Sequence, residues 1–443
     1  MLNYAKIRTY LTGCLTVIIL NTGMAGQDLV FDKEISKQVD SLNNLGAHTI
    51  HSDLEKTNEL AHISLRLASK GGYLKGRGIA LVLLGNVNLF KGNYDEAIPF
   101  YNDAVETFKQ IGFEAGVGTC YNNLALIYEG KSDYELAMEF FMKSLELEIA
   151  HENQEGMALC YNNIANCYYF LADYDQSLEY HYKSLEIYQS TNNEEETVSV
   201  LISIAAIMEV QELYDQAIKI NRKAIDLSRK YSNVYYEAMG MNNLGSNLYF
   251  QGHFYEASKY LNHALVLRDQ LDDKAGITST LKNLGKVYQM KKEYDRAIGY
   301  FFKSLKLSEE LEDKRSIAES FTLIGENLLD KGLPSEALDY FRQSLEIANE
   351  IGARKEVMEN YENLSMVYAK LNEHDSASAY IALYAMMSDS LAVDEKMAIL
   401  EEKLLTPNKS NDNLRSYRIA LWISSIVILT LILIIFFRKK QTA

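Results

Sequence analysis

The feature that most constrains this chain is a repeat. The stretch 283–317, with its pairing of Tyr294 and Ala297, recurs at a fixed period of 40 residues. In register behind it stand Phe254/Ala257, Tyr214/Ala217, Tyr174/Ser177, Tyr134/Ala137, Tyr94/Ala97 and Leu54/Thr57; ahead of it stand Pro334/Ala337 and His374/Ala377. A chain built this way stacks copies of one unit, and its core runs from neighbour to neighbour instead of closing into one globule.

Within a copy the apolar spacing is helical. Ala97, Tyr101, Ala104, Phe108 and Ile111 step by four and three along one helix face, and Leu284, Val287 and Tyr288 do the same in the first half of a copy. A short polar turn separates the halves, with Asn93, Asp133 and Asp173 placed to cap the second helix. Pro334 takes a first helical position, where its missing N–H costs nothing. The unit is therefore helix–turn–helix. GGYLKGRG at 71–78 has the glycines of a phosphate loop but not its spacing, and it aligns with GFEAGVG at 112–118, so it reads as an inter-repeat loop.

Leu284-Gly285, Tyr288, Ala297, Phe301 and Ser304 resemble the marks of the tetratricopeptide repeat, over residues 41–391. The resemblance implies an all-α, right-handed superhelical solenoid of about nine repeats. The family's usual period is about 34, with a proline closing the second helix; here Lys109, Ile149, Gln189 and Glu309 stand at that place, which lets the second helix run longer. The Asn-Asn entries at 122–123 and 162–163 are similar to the longer repeats of kinesin light chains.

The flanks read differently. Lys6 and Arg8, the apolar run 10–20 and Gly23-Met24-Ala25 form a secretory signal over 1–25, and 26–40 is a polar lead-in. Leu11-Thr12-Gly13-Cys14 looks like a lipoprotein box, but its apolar stretch follows Cys14 instead of preceding it. Beyond the repeats, 392–405 carries Val393, Met397, Leu400 and Leu404 on one helical face, suited to capping the last repeat or pairing two copies. A linker follows at 406–418. Residues 419–437 hold no charge over about 28 Å of helix, enough to span a bilayer. Arg438, Lys439 and Lys440 then predict a cytoplasmic tail at 438–443 and repeats on the periplasmic side of an inner membrane.

Chemistry is sparse. A net charge of −16 leaves no basic footprint for nucleic acid. His48, His51 and His62 lack metal-site spacing, His181 falls where other copies have Phe141 and Phe301, and no nucleophile motif stands out, so neither enzyme activity, metal nor cofactor is expected. Cys120 and Cys160 share one repeat position, seven residues before Cys167 in the second case, and read as buried small side chains. What remains is the groove lined by first helices. In the tetratricopeptide family the matching positions hold peptide backbone, which implicates Asn86, Asn122, Asn162, Asn166, Asn242 and Ser246. Tyr169 and Tyr249, with Phe170 and Phe250, add aromatic surface, and Lys282 and Lys286 a basic spot. Asn123, Asn163, Asn243, Asn283 and Asn363 recur more regularly and predict repeat-to-repeat hydrogen bonds.

The layout resembles the sensor half of bacterial membrane histidine kinases of the tetratricopeptide type, down to Asp389-Ser390-Leu391 ahead of the span. It implies a protein or peptide ligand and a signal handed to a separate membrane partner such as a kinase, or to a second copy. The alternative expectation is a static scaffold for envelope assemblies.

Overall fold

In the computed structural model the described residues are 33–388, and all regular structure among them is α-helix. The helices run α1 Lys33–Thr49, α2 Leu54–Gly71, α3 Leu74–Phe90, α4 Tyr94–Gln110, α5 Glu114–Gly130, α6 Tyr134–Ala150, α7 Gln154–Phe170, α8 Tyr174–Ser190 and α9 Glu194–Val210. They continue as α10 Tyr214–Lys230, α11 Val234–Phe250, α12 Phe254–Gln270, α13 Lys274–Met290, α14 Tyr294–Glu310, α15 Lys314–Asp330, α16 Pro334–Glu350 and α17 Arg354–Lys370. The last helix among the described residues, α18, covers 374–388. Odd-numbered helices are the first (A) helices of each pair, even-numbered ones the second (B) helices. The predicted signal at 1–25, the stretch 392–405, the linker and the span at 419–437 lie outside the described residues. Among the described residues no helix is long and apolar enough to cross a membrane.

The 40-residue period has a simple geometric origin. From α3 to α17 the A and B helices each have 17 residues, and three-residue turns join them. The backbone thus repeats every 20 residues, half the sequence period. Every turn places its middle residue in the left-handed region: Gly92, Gly112, Ser132, Glu152, Ala172, Asn192 and on to Gly352 and Asn372. The next N–H then reaches back five residues to close the helix, as Asn93 does to the Asn88 carbonyl at 2.9 Å and Asp173 to Tyr168 at 2.9 Å. Glycine adopts this backbone freely; the ten non-glycine residues found there do so at a cost of about 1 kcal/mol each. The turn chemistry is therefore set by tertiary stacking more than by local preference. The first turn differs, with four residues at 50–53, and α1 joins the end of the predicted lead-in to the start of the first predicted repeat.

Caps follow the sequence in part. The side chains of Asp133 and Asp173 accept from the backbone N–H groups of Leu136 and Gln176, as expected, whereas Asn93 makes no side-chain cap bond. Pro334 does open its helix.

The described residues fall into two compact units, one ending at Met290 and one beginning at Lys291. In the first, A and B helices interlock through residues at matched repeat positions. Tyr101 packs over Gly85 and Leu261 over Gly245 so closely that a Cβ on either glycine would come within 2.7 and 2.6 Å of them. Phe108, Phe141 and Tyr188 fill the successive layers. His181 sits buried at the position of Phe141. In the second unit Phe301 and Phe341 repeat the theme, Phe341 over Gly325, and Ala348, Ala353 and Val357 close a small cluster with Leu345 and Met387.

Candidate functional site

The A helices of the first unit present the candidate surface, and their residues separate into two layers by depth. In the deeper layer asparagines link consecutive A helices. The amide of Asn123 on α5 donates to the Asn86 side-chain oxygen on α3 at 3.1 Å, Asn163 on α7 to Asn122 on α5 at 3.3 Å, and Asn283 on α13 to Asn242 on α11 at 3.2 Å. Tyr101 Oη also donates to Asn86, at 2.6 Å. Asn86, Asn122, Asn162 and Asn242 are all buried, Asn86 completely. A fully buried amide cannot reach a ligand lying on the helices, so Asn86 in particular acts between repeats. Asn123, Asn163 and Asn283 thus bond between repeats as their register predicts, whereas the Asn243 side chain accepts from its neighbour Asn242 at 3.3 Å; in the second unit Asn363 reaches back one repeat, to Glu326 at 3.4 Å.

One helical turn further on lies the accessible layer. Asn166, Tyr169, Ser246, Tyr249 and Lys286 are half-buried, while Lys282 is drawn further in. The centre of this layer is a residue that sequence reasoning passed over, Glu209 on α9. Its carboxylate accepts from Ser246 Oγ at 2.9 Å and from the Asn247 amide on α11. Burial lifts this carboxyl above the ordinary glutamate range, against the opposing pull of those two hydrogen bonds and of Lys286 on α13. The Tyr169 phenol, on α7, is likewise raised, first by burial and then by Tyr174 and Glu209. Four consecutive A helices therefore contribute to one polar strip of Tyr169, Glu209, Ser246 and Lys286. The signal that could have found Glu209 was its place in the repeat: it occupies the position of Tyr169 and Tyr249.

Aromatic rings border the strip. Tyr169 makes edge contacts with Phe170 and Tyr174, at 5.5 and 5.9 Å between centroids, and Tyr249 with Phe250 and Phe254, at 5.2 and 6.0 Å. Such a surface offers hydrogen-bond donors and acceptors beside flat apolar faces, the combination that holds a peptide backbone and its side chains.

Other candidate chemistry resolves structurally. Cys120, Cys160 and Cys167 are free thiols in the core, and burial raises those of Cys120 and Cys167 far above their ordinary value, which suppresses the thiolate. Among the described residues no three of His, Cys, Asp and Glu stand together as metal ligands. The loop expected over 71–78 is only two residues long: Gly72, left-handed at φ 69°, and Tyr73 form the turn, while Gly71 ends α2 and Gly76 and Gly78 lie buried within α3.

The tetratricopeptide repeat profile matches residues 76–148, 156–230 and 236–310, half of the chain. No curated protein matches it in sequence. Among solved structures, the apo form of the quorum sensor NprR from B. thuringiensis aligns with a TM-score of 0.61 at 15% identity, over 80% of this chain and 99% of its own. A Rap protein complexed with Competence and Sporulation Factor aligns with a TM-score of 0.57 at 16% identity, over 81% and 99%. NprR in complex with its cognate peptide NprX aligns with a TM-score of 0.53 at 16% identity, over 80% and 100%. At such identities these likenesses speak for the fold.

Proposed function

The chain belongs to the tetratricopeptide repeat family, and from that premise we propose that it is a peptide- or protein-binding module whose ligand lies on the strip Tyr169–Glu209–Ser246–Lys286. The observation that carries the reading is Glu209. A half-buried carboxylate, held by two neighbours on the next A helix and raised by burial, is costly for a spacer and useful for a ligand that brings a donor. The NprR structure with its cognate peptide supplies the parallel for a peptide in this type of solenoid. The ligand contacts then come from Asn166, Tyr169, Ser246, Tyr249 and Lys286, while Asn86 holds the repeats in register beneath them.

The finer reading rests on the flanks of the sequence. The signal at 1–25 and the span at 419–437 anchor the repeats on the periplasmic side of an inner membrane, where the module serves as the input component of an envelope signalling system. A photo-crosslinker at Tyr249, in native membranes, captures a discrete partner that is lost in Glu209→Ala and is absent with the probe at Glu310. Equal background from the two probes overturns the ligand site. Deleting 419–437 releases the protein from the membrane fraction; retention in that fraction overturns the anchor.

A further inference from the structure

The turns that join each A helix to its B helix lie along one edge of the first unit, and a ladder of ion pairs runs along them. Lys91 reaches back one repeat to Glu55 at 2.5 Å, and Lys131 to Asp95 at 2.7 Å. The second unit keeps the same step, Lys331 to Asp295 at 2.5 Å. In the middle of the first unit the ladder stops. Its register places Leu171 opposite Glu135 and Gln211 opposite Asp175, and both carboxylates are exposed with no ion pair among the described residues.

Apolar side chains stand at the same place. Phe170 is 51% exposed and stacks on Tyr134 at 4.8 Å, while Leu171, Val210 and Leu213 are 36%, 45% and 40% exposed. Leu213 stands where Asp133 and Asp173 cap their helices, and α10 begins without a side-chain cap. That exchange gives up about 1 kcal/mol of helix stability for an apolar group left in water. A lost lysine and added apolar surface thus fall together on one patch spanning two repeats; Phe170 stacks on Tyr134, while Leu171, Val210 and Leu213 leave much of their apolar surface in water.

We propose that this turn edge is a docking surface for a basic amphipathic helix of a partner protein. Charge complementarity chooses the partner: the patch pairs an apolar row with carboxylates whose in-chain lysine has been removed. Spacing chooses the helix. Neighbouring packed helices stand roughly 8–10 Å apart, and residues i and i+7 of an α-helix are about 10 Å apart along its axis. Apolar anchors seven residues apart therefore meet Phe170/Leu171 and Val210/Leu213 in successive repeats, and Lys or Arg on the flank meets Glu135 and Asp175. This surface adjoins the Glu209 strip through the Tyr169–Phe170 contact, but the proposal does not depend on a ligand lying on that strip.

The test uses the full chain in nanodiscs and a synthetic Leu/Lys peptide, with leucines at i, i+3, i+4 and i+7 and one replaced by a photo-reactive leucine. Crosslinks are expected on residues 170–171 and 210–213, and not on the strip residues Ser246, Tyr249 and Lys286, competed by unlabelled peptide. The double variant L171K/Q211K rebuilds the ion pairs that neighbouring repeats already make, so the fold survives, and it lowers that crosslink yield on the order of tenfold. The charge-matched variant Q110K/Q189K, at the far ends of B helices, leaves the yield unchanged, and a peptide with Glu in place of Lys gives none. Equal loss in the two double variants, equal labelling by the Glu peptide, or labelling confined to Ser246, Tyr249 and Lys286 each overturns the proposal.

Discussion

Changing Asn86 to Ala separates a structural asparagine from a ligand-holding one. The Asn86 side-chain oxygen accepts from Tyr101 Oη at 2.6 Å and from the Asn123 amide at 3.1 Å, and all three residues are completely buried. Truncation strands two buried donors, at about 1–3 kcal/mol each. Part of this is returned, because the Asn86 amide nitrogen is itself buried without a partner. The net expected loss is about 2–4 kcal/mol. In a repeat array the loss is local to the neighbouring copies, so the assay is hydrogen exchange of α3 and α5, where it corresponds to faster exchange by about 30- to 700-fold. Tyr101→Phe removes one of the stranded donors, so in that background Asn86→Ala costs about 1 kcal/mol less. Exchange within about threefold of wild type, with ligand capture from Tyr249 abolished, would refute the reasoning and return Asn86 to the ligand-holding layer.

Three further outcomes follow from the same geometry. Burial raises the Glu148 carboxyl above its ordinary 4.5, against hydrogen bonding from Asn153; the folded state therefore holds its proton longer than the unfolded chain, and this group's contribution to stability falls as pH rises from 4.5 through the raised value. Glu148→Gln is expected to raise the thermal midpoint at neutral pH and to leave it unchanged below the ordinary value; a gain of equal size at both would exclude the titration. Ala172→Gly, at φ 60° in a turn with no glycine, is expected to stabilise by about 0.5–1 kcal/mol in denaturant unfolding, whereas a loss would mean the Ala172 methyl has packing of its own. Gly245→Ala puts a Cβ 2.6 Å from Leu261 Cγ and is expected to cost about 1–3 kcal/mol, recovered in part by Leu261→Val; no recovery would place the strain in the backbone.

The sequence by itself determined the helical repeat, its period and the family. The spacing of Ala97, Tyr101, Ala104 and Phe108 marks one face of the second helix, which recurs with substitutions from copy to copy, and all four are buried. It also announced the inter-repeat asparagine bonds, because first helices stacked in register bring together side chains at nearby repeat positions, 37 to 41 residues apart. Only the tertiary structure decided depth. Asn86 and Asn166 share a repeat position, yet one is fully buried beneath Tyr101 and the other half-exposed, since depth depends on the residues stacked above and below. Glu209 stayed hidden for the same reason: its partners Ser246 and Asn247 come from the next repeat, 37 and 38 residues away, and nothing near it in the chain marks it. The 20-residue backbone period was equally out of sight. Glycine, serine, glutamate, alanine and asparagine all take its left-handed position, because stacking of the helices on either side, and not the residue between them, holds the turn closed.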